Sequence, residues 1–248
     1  MSGHSKWATT KYRKGAQDKA RGKLFAKLIR QLEVAARDGG GDLSSNATLR
    51  TMYEKARAAS VPMDTIERAI KRGTGELEGV RYEAVTYEGY APDGVAVIVE
   101  CLTDNRNRTA AEIRNIFSRN GGSTAEPGAV SWQFERKGVI TLPKSLSEEE
   151  IMEVALEEGG EDLVDQGDHW MLVCTPSSLT SLEAALDRAG LAKDSAEISM
   201  VPTTTIEITD PTEAKKVLKL LEALDEHDDV QNIHSNFDIP DEVLALAE

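Results

Sequence analysis

Two sets of side chains in this sequence have the types and spacing to do chemistry. The first is the run Thr103-Asp104-Asn105-Arg106-Asn107-Arg108-Thr109, between an apolar strand pattern and a helical one. A helix N-terminus in that place offers backbone N–H groups to an anion, which makes Asp104, Asn105, Asn107, Arg108 and Thr109 a candidate anion or partner loop. The same residues also suit a tight turn and a helix N-cap, with no ligand required. The second set is cationic: Lys6, Lys11, Arg13 and Lys14, then Lys19, Arg21, Lys23, Lys27 and Arg30. Cations in such density suit the phosphates of a nucleic acid, although a solvated helix face carries similar charge. Trp7 and Tyr12 lie among the first four, where rings can stack on unpaired bases. Trp7 packing on neighbouring helices is the alternative.

Catalytic patterns are missing. The sequence has no G-x-x-x-x-G-K-[ST] phosphate loop, no G-x-S-x-G elbow and no H-E-x-x-H. His4, His169, His227 and His234 are scattered without ligand spacing, so no metal site is expected. Cys101 and Cys174 each sit in an apolar run, which predicts buried, reduced thiols in strands. No apolar run approaches the roughly 20 residues of a membrane span. The basic N-terminus lacks the apolar stretch of a secretory signal. A soluble, cytoplasmic, non-enzymatic protein without a small-molecule substrate is the expectation.

The 248-residue chain has a net charge of −14, which conceals a division. Residues 1–72 hold sixteen Lys/Arg and seven Asp/Glu, a net +9, and the remainder carries −23. One end is suited to a polyanion, and the rest is suited to protein contacts or solubility. At a Debye length of about 8 Å, acidic units need stand only a little way from a phosphate backbone to be tolerated.

The elements that must position these residues can be read from periodicity. Ala20, Leu24, Phe25, Leu28, Ile29, Leu32 and Ala36 form one apolar stripe, with Lys19, Lys23, Lys27 and Arg30 about 100° around the helix. Gly39-Gly40-Gly41 ends that helix. A second helix starts at Asn46, and a third follows Pro62 and is expected to stop at Gly73. Residues 82–90 and 94–102 read as a hairpin, 109–119 as a helix and 129–134 as a strand. Residues 135–201 then run β-α-β-β-α-β, the ferredoxin-like order. A final β-α-β starts with 203–209 and completes the earlier ββα.

The expected fold class is α+β. It comprises a basic three-helix domain with an extended N-terminal arm (1–78), a discontinuous α/β domain (79–134 plus 202–242) and an inserted acidic ferredoxin-like domain (135–201).

Several motifs resemble the YebC/PmpR family over essentially the whole chain. They include Gly3-His4-Ser5-Lys6-Trp7, Ala16-Gln17-Asp18, Lys27-Leu28-Ile29-Arg30 and Arg68-Ala69-Ile70-Lys71-Arg72-Gly73. Tyr87-Glu88-Gly89-Tyr90, Thr103-Asp104-Asn105, Asn107-Arg108-Thr109 and Lys137-Gly138 continue the likeness. The chain departs from the family pattern at Tyr12, Ala47, Ala91 and Asp93, where His, Pro, Gly and Gly are usual. The resemblance implies three domains around a central cleft, without cofactor or catalytic residues. It further implies DNA-binding transcription regulation or, as in some members, a ribosome-associated, RNA-binding translation factor that eases stalling at proline-rich stretches. The residues do not separate duplex DNA from ribosomal RNA as the partner.

Overall fold

The computed structural model describes residues 17–247, and within them the side chains of all but 17–21 and Asp241. The first three helices of the described residues, α1 (Gln17–Gly39), α2 (Ala47–Ala58) and α3 (Met63–Thr74), share one aliphatic core. Leu28, Leu32, Ala35 and Ala36 of α1 meet Leu49 and Ala56 of α2 and Ile66 and Ala69 of α3. Asn46 joins the first two helices. Its side-chain oxygen caps α2 at the Leu49 N–H (3.0 Å), and its amide donates to the Ala35 and Gly40 carbonyls at 2.8 Å each. Ala47 takes the first helical position after this cap, so the helix starts there without proline. Buried Glu33 pairs with Arg72, clamping α1 to α3.

Two expectations for this bundle are corrected. Leu24 belongs to the predicted apolar stripe but is 46% exposed, because the shared core begins one turn later at Leu28. Gly73 does not end the third helix. Its missing side chain lets α3 approach α1 at the Glu33 carbonyl and the Ala36 methyl, and the helix closes at Gly75 in the left-handed region (φ +82). A methyl group at Gly73 would have to displace backbone. Gly73→Ala is therefore expected to cost about 2 kcal/mol in urea unfolding. Gly22→Ala, in open space on the same helix pair, should gain up to about 1 kcal/mol.

Strands β1 (Glu83–Tyr90), β2 (Ala96–Thr103), β3 (Ser123–Ala125) and β9 (Val230–Ser235) form one antiparallel sheet in the order β3-β1-β2-β9. Helices α4 (Arg106–Arg119), α7 (Pro211–Asp225) and α8 (Asp241–Ala247) bring residues such as Ile113, Phe117, Val217 and Leu221 onto one face of it, over Val97, Val99 and Cys101. The chain between β3 and β9 makes the second sheet, β5-β6-β4-β7. Its elements are β4 (Phe134–Pro143), α5 (Glu148–Glu157), β5 (Gly160–Asp165), β6 (His169–Cys174), α6 (Leu179–Arg188) and β7 (Ser195–Pro202). This is the ferredoxin-like β-α-β-β-α-β sandwich, placed within a surrounding α/β unit after the three helices. The fold is α+β, as expected. Cys101 and Cys174 are buried, free thiols in β2 and β6. Burial, with the Asp229 charge, pushes the Cys101 thiol up to about 12. No described helix is long and apolar enough to cross a membrane.

The expected strand at 129–134 is instead a loop with a 3-10 turn at Ser131–Gln133. Buried Glu88 accepts the N–H groups of Gly128 (2.7 Å), Val130 (2.7 Å) and Ser131 (3.0 Å), satisfying backbone that would otherwise seek a neighbouring strand. Burial works to raise the Glu88 pKa, and those N–H groups bring it below the ordinary value. The strand expected at 203–209 shortens to β8 (Ile206–Glu207), paired in parallel with β10 (Phe237–Asp238). Helix α8 lies partly beyond the expected end of the second domain at 242. Asp93 has φ +60, the left-handed conformation that glycine adopts most readily.

Candidate nucleic-acid interface

Lys6, Trp7, Lys11, Arg13 and Lys14 lie outside the described residues. Lys19 and Arg21 fall on α1 in its first turns, where side chains are not described. Lys23, Lys27 and Arg30 lie on one side of α1, as the i, i+4, i+7 spacing requires. They face the C-terminal end of α7 and the residues that follow it.

Lys27 Nζ is 2.9 Å from Asp225 Oδ1. Lys23 Nζ donates to the Glu226 carbonyl at 3.1 Å and lies 3.7 Å from its carboxylate. Arg30 donates to the Asp228 carbonyl (2.6 Å) and to Asp229 Oδ1 (3.0 Å), and its guanidinium stands 5.3 Å above the Tyr82 ring. Farther along, Lys55 of α2 reaches Glu197 of β7 at 2.9 Å. Arg37 donates to the carbonyls of Val80 and Tyr82, fixing the connection between the bundle and β1. Cations of the basic third thus join it to the acidic remainder. Arg50, Arg57 and Lys71 stay on the bundle surface without a carboxylate partner among the described ion pairs.

The acidic corner was not apparent as a functional feature from the sequence. Asp225-Glu226-His227-Asp228-Asp229 follows a helix with no basic residue in its last turn. Carboxylates at a helix C-terminus oppose the macrodipole. That local anomaly is the signal that a cation must come from elsewhere, and α1 supplies it.

Asp229 also organises the Asp104–Thr109 loop. Its side chain is 4% exposed and accepts from Arg108 (2.7 Å) and the Thr109 hydroxyl (2.7 Å), besides Arg30. Asn105 caps α4 by accepting the Arg108 N–H at 3.1 Å. Thr103 accepts from the Asn105 N–H and meets the Thr109 hydroxyl at 2.7 Å. Arg108 also pairs with Asp104 at 3.0 Å, and Asn107 is exposed. The anion beside the start of this helix is the chain's own Asp229. Burial works to raise its pKa, but Thr109, Arg108 and Arg30 hold the carboxyl below its ordinary range.

Glu112, His227 and Asp229 bring three metal-capable side chains within 4.8 Å of one another. His227 and Asp229 already have protein partners, and Glu112 is exposed and accepts from His227. His227 Nδ1 accepts the Asp229 N–H (3.1 Å), which leaves Nε2 to donate to Glu112 (2.8 Å), and two guanidinium groups face Asp229. That donor set does not suit a cation. The open groove between α1 and residues 78–82 is equally balanced, with Arg30 and Arg72 set against Glu33 and Glu78.

On the other face of the first sheet, Glu100 accepts from Asn232 (2.8 Å), and its carboxylate lies 3.5 Å from His234 Nε2. Chiefly through His234, and against burial, its pKa falls to about 2. A depressed carboxylate stabilises the fold above its ordinary pKa near 4.5, and the contribution disappears as pH falls through about 2. Glu100→Gln should therefore lose stability at neutral pH. Urea titrations at a series of pH values should show its difference from wild type closing across that acid window.

Among the described residues, three helices followed by an α/β unit that contains a ferredoxin-like one define an α+β, helix-plus-sandwich fold. The chain belongs to the TACO1/YebC family: its N-terminal domain model matches residues 5–76, and its second and third domain model matches 82–237. A "probable transcriptional regulatory protein" of Acidithiobacillus ferrooxidans is 52% identical over 248 residues, covering all of this chain and 99% of the relative. Another of that name, from Mycobacterium sp. strain KMS, is 53% identical with both chains fully covered. The crystal structure of a conserved hypothetical protein from Aquifex aeolicus superposes with a TM-score of 0.83 at 48% identity. That match covers 92% of this chain and 94% of the other.

Proposed function

We propose that the protein is a non-enzymatic, cytoplasmic regulator of gene expression that binds nucleic acid through residues 1–72. The observation that carries this reading is the division of charge, +9 in the first 72 residues and −23 in the rest. The contacts are assigned to Lys6, Trp7, Lys11, Arg13, Lys14, Lys19 and Arg21, together with Lys23, Lys27 and Arg30 once these leave the acidic corner. The names of the relatives favour transcription and therefore duplex DNA. The acidic units serve protein contacts, and no cofactor or small-molecule substrate takes part. The engagement of the Asp104–Thr109 loop by the chain's own groups supports a positioning role for it over catalysis.

One observation favours a second reading, on the ribosome. Helix α3 follows a short turn after α2, where a helix-turn-helix protein would place its reading helix. The exposed N-terminal half of α3 carries Asp64 and Glu67. Carboxylates there oppose entry into a major groove, whose bases are read by the start of such a helix. Stacking of Trp7 and Tyr12 on unpaired bases of folded RNA does not require that helix to enter a groove. Crosslinking in cells followed by sequencing of the bound nucleic acid distinguishes the two. Recovery of promoter DNA supports transcription, whereas ribosomal RNA with co-sedimentation on sucrose gradients supports translation. Recovery of neither overturns the proposal.

A further inference from the structure

We infer that the acidic corner 225–229 is a built-in competitor for nucleic acid, holding the cationic face of α1 until a phosphate backbone replaces it. The inference deepens the proposed function and rests on it. Three features make the corner a phosphate surrogate. Asp225, Glu226 and Asp229 present carboxylates to Lys27, Lys23 and Arg30, three cations in line along α1. The carbonyls of Glu226 and Asp228 add acceptors to Lys23 and Arg30, as the unesterified oxygens of neighbouring phosphates would. The C-terminal end of α7 adds the negative pole of its dipole.

The contact is also suited to exchange. If Arg30 leaves, Asp229 keeps Arg108 and Thr109, so the buried carboxylate is not stranded. Glu226 is 59% exposed and returns readily to water. Leu24, 46% exposed beside Lys23, shows that this end of α1 is not sealed by an apolar core. The outermost pair, Lys23 with Glu226, is therefore the weak, salt-sensitive one at which displacement starts, while Lys27–Asp225 (12% and 23% exposed) and Arg30–Asp229 (19% and 4%) lie deeper. Nucleic acid therefore binds a face that is only partly available, and its apparent affinity is reduced by the closed fraction.

The test uses the full chain with spin labels at Thr51→Cys and Lys219→Cys, both exposed, while native Cys101 and Cys174 are buried. Electron–electron double resonance reads the separation of the bundle from α7. The probes are a random-sequence duplex DNA and a single-stranded RNA of matched length. Each is added to this chain and to two unlabelled charge variants. Asp225→Asn with Glu226→Gln removes two of the corner's three pairing carboxylates and leaves Asp229 in the fold, and Glu148→Gln with Glu149→Gln removes equal charge from α5. The expected result is a longer separation with either probe, and affinity for it about three- to tenfold tighter in the corner variant than in the α5 variant. Binding with an unchanged separation, or equal tightening in both variants, overturns the competition and leaves nucleic-acid binding intact. Failure of both probes to bind either wild type or the corner variant overturns both.

Discussion

Replacing Lys6, Lys11, Lys14, Lys23 and Lys27 with Glu is expected to abolish measurable nucleic-acid binding at physiological salt. The same replacements should remove most of its salt dependence. If about six phosphates are neutralised in the wild type, affinity falls on the order of a thousandfold between about 50 and 200 mM salt. Each phosphate contact removed lowers the slope of log affinity against log salt by about one, so five reversals leave little of it. Fluorescence anisotropy with labelled DNA and RNA over a salt series reads both quantities. Two subsets carry different information. Lys6, Lys11 and Lys14 test the N-terminal segment alone. Lys23 and Lys27 test cations that also pair with Glu226 and Asp225, so their reversal removes a phosphate contact and an internal one together. Matching Gln variants, with circular dichroism and melting unchanged, separate lost charge from lost fold. An unaltered affinity and slope in the fivefold variant would remove the charge division as a basis for function.

The helices were legible because their cores are local. Leu28, Leu32 and Ala36 repeat at helical spacing, and Asn46 announces a start that its side chain then makes. The ferredoxin-like unit was legible because six elements alternate in a fixed order with clear turns. Elements whose conformation is imposed from a distance were misread. The apolar residues of 129–134 suit a strand, but Glu88, some forty positions earlier, gathers their N–H groups into a loop. Gly73 has the composition of a stop, and only the neighbouring Glu33 carbonyl reveals its use in helix packing. The sequence of the Asp104–Thr109 loop suits both an anion site and a capped turn; its cap is local at Asn105, whereas its anion comes from position 229. The cationic stripe was legible as a stripe. Its partner was not, because Lys27 and Asp225 are separated by 198 positions and no periodicity spans that distance.

On the proposed function, the charge division has two uses that a sequence total cannot separate. Lys23, Lys27, Arg30 and Lys55 hold the acidic remainder against the bundle, while the cations before position 22 are read from the sequence alone. A polyanion approaching the N-terminal third meets acidic carboxylates already seated on part of it. Affinity is then set by a difference between two sets of ionic contacts, both screened by salt. Raising salt weakens the internal contact along with the external one, so the observed salt slope is smaller than a count of cations alone would give.

Asp229→Ala should be the most damaging single substitution in the acidic corner, costing about 3 kcal/mol, because it leaves two guanidinium groups and a buried hydroxyl without their shared acceptor. For a chain of this size that loss lowers the melting temperature by roughly 10 °C, readable by scanning calorimetry. Arg108→Ala should cost less, since Arg108 is 42% exposed and its removal leaves Asp229 with Arg30 and Thr109. The double variant Arg108→Ala/Asp229→Ala should be less destabilised than the sum of the two single variants, since one shared contact is counted in both. The pH dependence carries the opposite sign from a buried neutral acid. The Asp229 carboxyl is held below its ordinary value of 3.8, so its stabilisation is full above that pH and disappears as pH falls through the depressed value. Wild type and Asp229→Ala should therefore converge in acid and separate toward neutrality. A variant that melts within a degree of wild type at neutral pH would show that the corner is incidental to the fold, and the junction of Arg30, Arg108 and Thr109 on Asp229 would lose its structural role.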